Sequence, residues 1–137
     1  MRRFALIGFV GLLIALQIAV AQAADVVQPA PPFVVPLGAD GVQRATITLD
    51  SYSYTPKHLI VEAGKPVELT LTSVTTITPH NFIIKELSVE QDLSAGKTVT
   101  ITFTPTQTGT FPIYCDKRLW PLPSHRDKGM EGTFEVR

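Results

Sequence analysis

Period-two alternation runs through this chain from Gln43 onward, and it restricts the fold more than any other feature. Ala45, Ile47 and Leu49 alternate with Arg44, Thr46 and Thr48, and Val67, Leu69 and Leu71 alternate with Glu68, Thr70 and Thr72. The strongest case is Lys97–Phe103, where Val99, Ile101 and Phe103 stand opposite Thr98, Thr100 and Thr102. This spacing puts every second side chain on one face of an extended strand. Shorter strands are expected at Leu59–Val61, His80–Lys85, Thr110–Cys115 and Gly132–Val136. Turn signals such as Glu62-Ala63-Gly64-Lys65-Pro66 separate them, and the 11 prolines and 9 glycines argue against long helices. Seven or eight short strands of this kind predict an all-β, antiparallel sandwich or barrel. Tyr52, Tyr54 and Pro56 read as a turn-like segment, and Ser88–Gly96 as a polar loop with at most one helical turn.

The residues before the strands divide in two. Residues 1–24 read as an export signal: Arg2-Arg3 is the positive region, Phe4–Val20 is apolar except for Gln17, and Ala21-Gln22-Ala23 is a small-x-small cleavage pattern. An uncleaved membrane tether is the alternative, because the apolar run approaches the length of a span. Either way the domain is expected outside the cytoplasm, in the periplasm of a bacterium. Residues 25–42 contain Pro29, Pro31, Pro32 and Pro36 and read as an extended leader or tether, with a short edge strand around Phe33–Val35. Residues 43–137 form the domain, enough for one core. The chain's formal charge is zero, which gives nucleic acid no electrostatic reason to bind.

An exported chain whose only cysteine is Cys115 cannot form an internal disulfide. A buried structural thiol is the ordinary explanation, but coordination to a metal would also protect it from oxidation. Cys115 lies close to His125 and Met130, and His80 lies well upstream on a separate strand. Two imidazoles, one thiolate and one thioether are the donor set of a blue-copper electron-transfer site. Parity supports the grouping. Phe111, Ile113 and Cys115 share one face, as do His80, Phe82 and Ile84, and Met130 falls in phase with Phe134 and Val136.

Other chemistries compete for these residues. A structural zinc site would want four Cys or His ligands, and methionine is a poor zinc donor. The third histidine, His58, sits beside Lys57 and reads as a solvated surface residue. A Cys–His nucleophile would use Cys115 with His80 or His125 but leaves Met130 without a role.

The stretch Gly109-Thr110-Phe111 followed by Tyr114-Cys115 resembles the cysteine-ligand strand of the cupredoxin family, the plastocyanin, pseudoazurin and azurin group. Pro79-His80-Asn81-Phe82 resembles that family's upstream ligand, Ala63-Gly64-Lys65-Pro66-Val67 its turn before a core strand, and His125 to Met130 the His-x4-Met spacing of plastocyanin-like members. The resemblance covers about Gln43–Arg137 and implies a Greek-key sandwich. It implies one copper ion held by His80, Cys115, His125 and Met130, with Asn81 tying the two ligand loops together. It also implies Tyr114 as a second electron exit beside His125. The implied function is electron transfer with a protein redox partner, by a monomer without small-molecule substrate or catalytic turnover. Copper resistance, storage or delivery, with a copper donor or acceptor as partner, is the alternative, and a metal-free adhesion sandwich a remote third.

One departure stands out. Nine residues, Asp116 to Ser124, separate Cys115 from His125, where plastocyanin-like members place two to four. Leu119, Trp120 and Leu122 sit in this loop among Lys117, Arg118 and Arg126. Two roles fit it: Trp120 folds back as a lid over the copper, or the apolar tip with its basic rim is a docking surface.

Overall fold

The computed structural model describes residues 29–137; the export signal and the first part of the leader lie outside the described residues. Ten strands form two facing sheets. They are β1 (Phe33–Val34), β2 (Gln43–Asp50), β3 (Ser53–Thr55), β4 (His58–Val61), β5 (Val67–Ser73), β6 (His80–Ile84), β7 (Val89–Leu93), β8 (Thr98–Phe103), β9 (Gly109–Tyr114) and β10 (Glu131–Val136). The larger sheet has the order β1-β4-β10-β9-β6-β7 and the smaller β3-β2-β5-β8. The fold is the all-β sandwich that the alternation predicts.

Alternating residues meet between the sheets, as pleating requires. Ile47, Leu49, Leu69 and Leu71 from the smaller sheet are buried against Leu59, Phe82, Ile84, Ile113 and Phe134 from the larger. Threonines of β2, β5 and β8 face outward and pair across strands, Thr70 with Thr100 and Thr72 with Thr98.

The sheets are mixed rather than purely antiparallel. β2 pairs with β5 in parallel, and β4 runs parallel to both β1 and β10. The chain leaves the smaller sheet after β3, contributes β4 to the larger one, and returns beside β2. A strand that crosses over and comes back can re-enter in either direction, whereas a tight hairpin enforces antiparallel pairing.

Two strands lie where the sequence reads as turn and loop. Ser53–Thr55 pairs antiparallel with the end of β2, and Tyr54 is buried in the core with its hydroxyl donating to Asn81 O at 2.7 Å. Val89–Leu93 pairs along the whole of β6 as an edge strand. Its sequence, Val-Glu-Gln-Asp-Leu, hides the period because only Val89 and Leu93 reach the core. Among the described residues, the one helical turn falls earlier, at Lys85–Leu87. His58 is also not a free surface residue. It is half-buried at the start of β4, with Nε2 3.1 Å from Glu135 Oε2.

Phe33–Val34 forms the short edge strand expected in the leader, parallel to β4, and Val35 behind it is buried. At Gly132 the backbone needs glycine. A Cβ there would lie 2.6 Å from Lys57 O, the same carbonyl that accepts from Thr133 N at 2.8 Å.

Candidate metal centre

β6 and β9 deliver two of the candidate donors to one end of the sandwich. His80 opens β6 and Cys115 follows β9 directly, each on the core face of its strand and fully buried. His125 enters from the loop between β9 and β10 and is only 6 % exposed. One donor atom from each of His80, Cys115 and His125 lies within 4.8 Å of the other two. Cys115 Sγ is 3.4 Å from His125 Nδ1, and the two imidazole rings are 5.0 Å apart.

Met130 is fully buried in the core cluster and is tied to the other donors through its backbone. Its N–H donates to His125 O at 2.9 Å, and its carbonyl accepts from Cys115 N at 3.2 Å.

The long loop does not loosen this arrangement. His125 N donates to Lys117 O at 2.8 Å, which closes the loop at its base and makes residues 118–124 an excursion. At the far side Ser124 and Asp127 cap one another: Asp127 Oδ2 accepts from Ser124 N and Oγ, and Asp127 N donates to Ser124 Oγ. His125 therefore returns beside Cys115 despite nine intervening residues. In the excursion Leu119 is 75 % and Trp120 78 % exposed. Leu119, Leu122 and Pro123 border an open groove of about 420 Å³ with Ile77, Pro79 and Lys128, and His125 contributes to its lining.

Asn81 joins the two ligand segments. Its backbone N–H points at Cys115 Sγ at 3.3 Å, its Nδ2 donates to Asp116 Oδ1 at 2.7 Å, and its Oδ1 accepts from Asp116 N at 3.1 Å. Tyr114 is half-buried in the barrel wall and carries the Arg126 guanidinium over its ring at 4.3 Å.

The electrostatics suit an ion better than they suit three bare side chains. Both ring nitrogens of His80 are buried without a hydrogen-bond partner, a costly state that a ligand would relieve. Burial, with help from His125, pushes the His80 pKa down to about 4, so the ring is neutral and has a lone pair to offer. Burial and then Lys128 lower that of His125 as well. Burial raises the Cys115 thiol, so a bound cation must displace its proton. Two neutral imidazoles and one thiol that ionises on binding fit copper, and the buried Met130 follows on the loop that carries His125.

A sequence model described as a cupredoxin-like domain matches residues 10–129. The chain belongs to the cupredoxin-like family. As a cupredoxin it takes one copper ion as its cofactor, and the cluster of His80, Cys115 and His125 offers the place for it. No curated protein matches the chain in sequence.

Several solved structures share the cupredoxin's fold. The metal-binding domain of the Cu(I)-exporting P-type ATPase CopA of Streptococcus pneumoniae aligns with a TM-score of 0.61 at 21% identity, over 78% of this chain and 96% of that one. Auracyanin from Roseiflexus castenholzii gives 0.57 at 22%, over 73% and 99%. Auracyanin A from Chloroflexus aurantiacus, a blue copper protein, gives 0.54 at 20%, over 71% and 100%.

One residue at the site was not picked out from the sequence. Tyr52, in the turn between β2 and β3, packs its ring on His125 with centroids 4.8 Å apart and planes at 58°. An aromatic after Asp50-Ser51 was the only local signal for it.

Proposed function

We propose that this cupredoxin is an exported single-copper electron carrier in which His80, Cys115, His125 and Met130 hold the ion. The observation that carries the reading is the convergence of three buried donor atoms within 4.8 Å, with both nitrogens of His80 otherwise unpartnered. When bound, copper supplies the one-electron couple between its cuprous and cupric states. The protein supplies rigidity. Donors on β6, at the end of β9 and in a loop closed at its base need little rearrangement as the charge changes, and burial keeps water away. The Asn81 N–H aimed at Cys115 Sγ stabilises the thiolate form. Residues 43–137, edged by Phe33–Val35, make up the carrier domain.

A spectrum of the purified protein with Cu(II), followed by a redox titration, tests this. An intense visible band that ascorbate bleaches reversibly is expected. Copper binding without a reversible couple would support storage or delivery instead.

Met130 would supply a weak thioether donor, which would tune the potential more than affinity. Met130→Gln is therefore expected to retain copper and lower the reduction potential, because an oxygen donor favours the cupric ion. Loss of all copper in that variant would give Met130 a structural role instead.

The exposure of Leu119, Trp120 and Leu122, of which Leu119 and Leu122 line a groove with His125, supports the docking role for the long loop over the lid role. The surface combines apolar and aromatic side chains with Arg118, a composition that protein interfaces favour. Trp120→Ala is expected to leave spectrum, potential and metal retention unchanged while slowing exchange with the native partner. A change in the isolated protein's spectrum would return Trp120 to the lid role. Tyr114 would be a second exit for the electron through the barrel wall.

Export rests on residues 1–24. Mass spectrometry of the native protein is expected to find a mature start near Ala23-Ala24. An intact Met1 in a membrane fraction would show a tethered protein with the proline-rich segment as spacer.

A further inference from the structure

The segment from His125 to Met130 is clasped from both sheets by its own cations. Arg126 lies over the ring of Tyr114, which ends β9 in the larger sheet. Lys128 reaches the hydroxyl end of Tyr52: its Nζ donates to Tyr52 Oη at 2.9 Å and lies 4.4 Å from the ring centroid. Tyr52 belongs to the turn between β2 and β3 in the smaller sheet. The Arg126 contact places a cation on an electron-rich ring face, whereas the Lys128 ammonium sits at the hydroxyl edge of its ring.

The two clasps differ in net charge. Arg126 is ion-paired with Glu131, so that clasp is neutral overall. Lys128 has no such pair among the described residues: Asp127 beside it caps Ser124, and the ammonium donates to the Tyr52 hydroxyl. Tyr52 also packs on His125, so a single aromatic ring touches both a candidate ligand and an unneutralised cation.

We propose that Tyr52 is a positioning residue for His125, and that the Lys128 ammonium it holds beside that ligand raises the reduction potential of the copper. This rests on the electron-carrier reading above. The physical reason is Coulombic. A fixed positive charge near the ion disfavours the more highly charged cupric state and so favours reduction. Because Lys128 is exposed, the effect is screened by salt. Loss of the Tyr52 ring would both free the ammonium and remove the packing that orients the imidazole.

Redox titration of the full copper-loaded protein at low and high salt tests the charge. Lys128→Gln is expected to lower the potential, by an amount that shrinks as salt rises, and Lys128→Arg to restore it. The double variant Arg126→Gln with Glu131→Gln removes a neutral pair and is expected to shift the potential less than Lys128→Gln. Equal potentials for Lys128→Gln and the parent at low salt would overturn the charge role.

Proton NMR of the metal-free protein tests the positioning independently of any redox activity. Tyr52→Leu is expected to move the His125 ring resonances, whereas Tyr52→Phe keeps the ring and leaves them nearly in place. Unmoved resonances in Tyr52→Leu would overturn the positioning role. Tyr52→Phe, which cannot accept the Lys128 hydrogen bond, is expected to show part of the potential drop, and an unchanged potential would count against the clasp. Absence of a reversible couple in the parent protein would defeat the electron-carrier reading, while the NMR result would still decide what Tyr52 does.

Discussion

Replacing Cys115 by serine is expected to abolish the visible absorption of the copper-loaded protein completely. That band needs charge transfer from a thiolate, and an alcohol has no equivalent donor orbital at comparable energy. Serine is also a harder ligand and suits the cuprous ion poorly. The substitution is nearly isosteric, and the Asn81 N–H that points at Sγ retains an acceptor in the hydroxyl. The metal-free variant is therefore expected to keep its fold, with a stability change of only about 1 kcal/mol. Denaturation of the apoprotein alongside the spectrum separates loss of the ligand from loss of the domain. A Cys115→Ser protein that stays coloured would end the thiolate assignment.

Phe82→Ala is expected to cost about 3–5 kcal/mol of stability, a large share of the ~5–15 kcal/mol typical of a domain. Phe82 is fully buried and meets the Tyr54 ring edge-on, with centroids 5.7 Å apart. It lies two residues from His80 on the same face of β6, and Tyr54 in turn donates to Asn81 O. The cavity therefore sits directly beneath the strand end that carries one candidate ligand and the Asn81 link to Asp116. Copper affinity is expected to fall together with the urea midpoint of the metal-free protein. Phe82→Leu, closer in volume, is expected to cost less than about 1.5 kcal/mol. A loss below about 1 kcal/mol in the alanine variant would show that this end of the core tolerates repacking and that β6 is held by its pairing alone.

The sandwich was legible because alternation is a local property. Ile47, Leu49, Leu69 and Leu71 each declare their face through immediate neighbours, and the structure buries all four. The same logic put His80 and Cys115 in phase with core rows, and both are buried where those rows end. β3 and β7 escaped because each is short or has three polar residues in succession, and each is extended only through pairing with a neighbour. The parallel pairing of β2 with β5 was equally hidden, since direction of re-entry is set by how the chain crosses between sheets.

Residue types and their spacing pointed to copper: one cysteine and one methionine after the initiator, with His125 between them and His80 upstream on a separate strand. What the tertiary structure decided is how a nine-residue insertion can coexist with a compact site. The Lys117–His125 backbone bond closes the loop at its base, so the extra length projects outward and leaves the spacing of Cys115 and His125 intact. It also decided what packs on the exposed side of His125. Trp120, close to His125 in the chain, stands in solvent, whereas Tyr52, remote in sequence, lies against the imidazole. No local pattern announces such a contact, because it exists only once the two sheets face each other and bring the β2–β3 turn over the ligand loop.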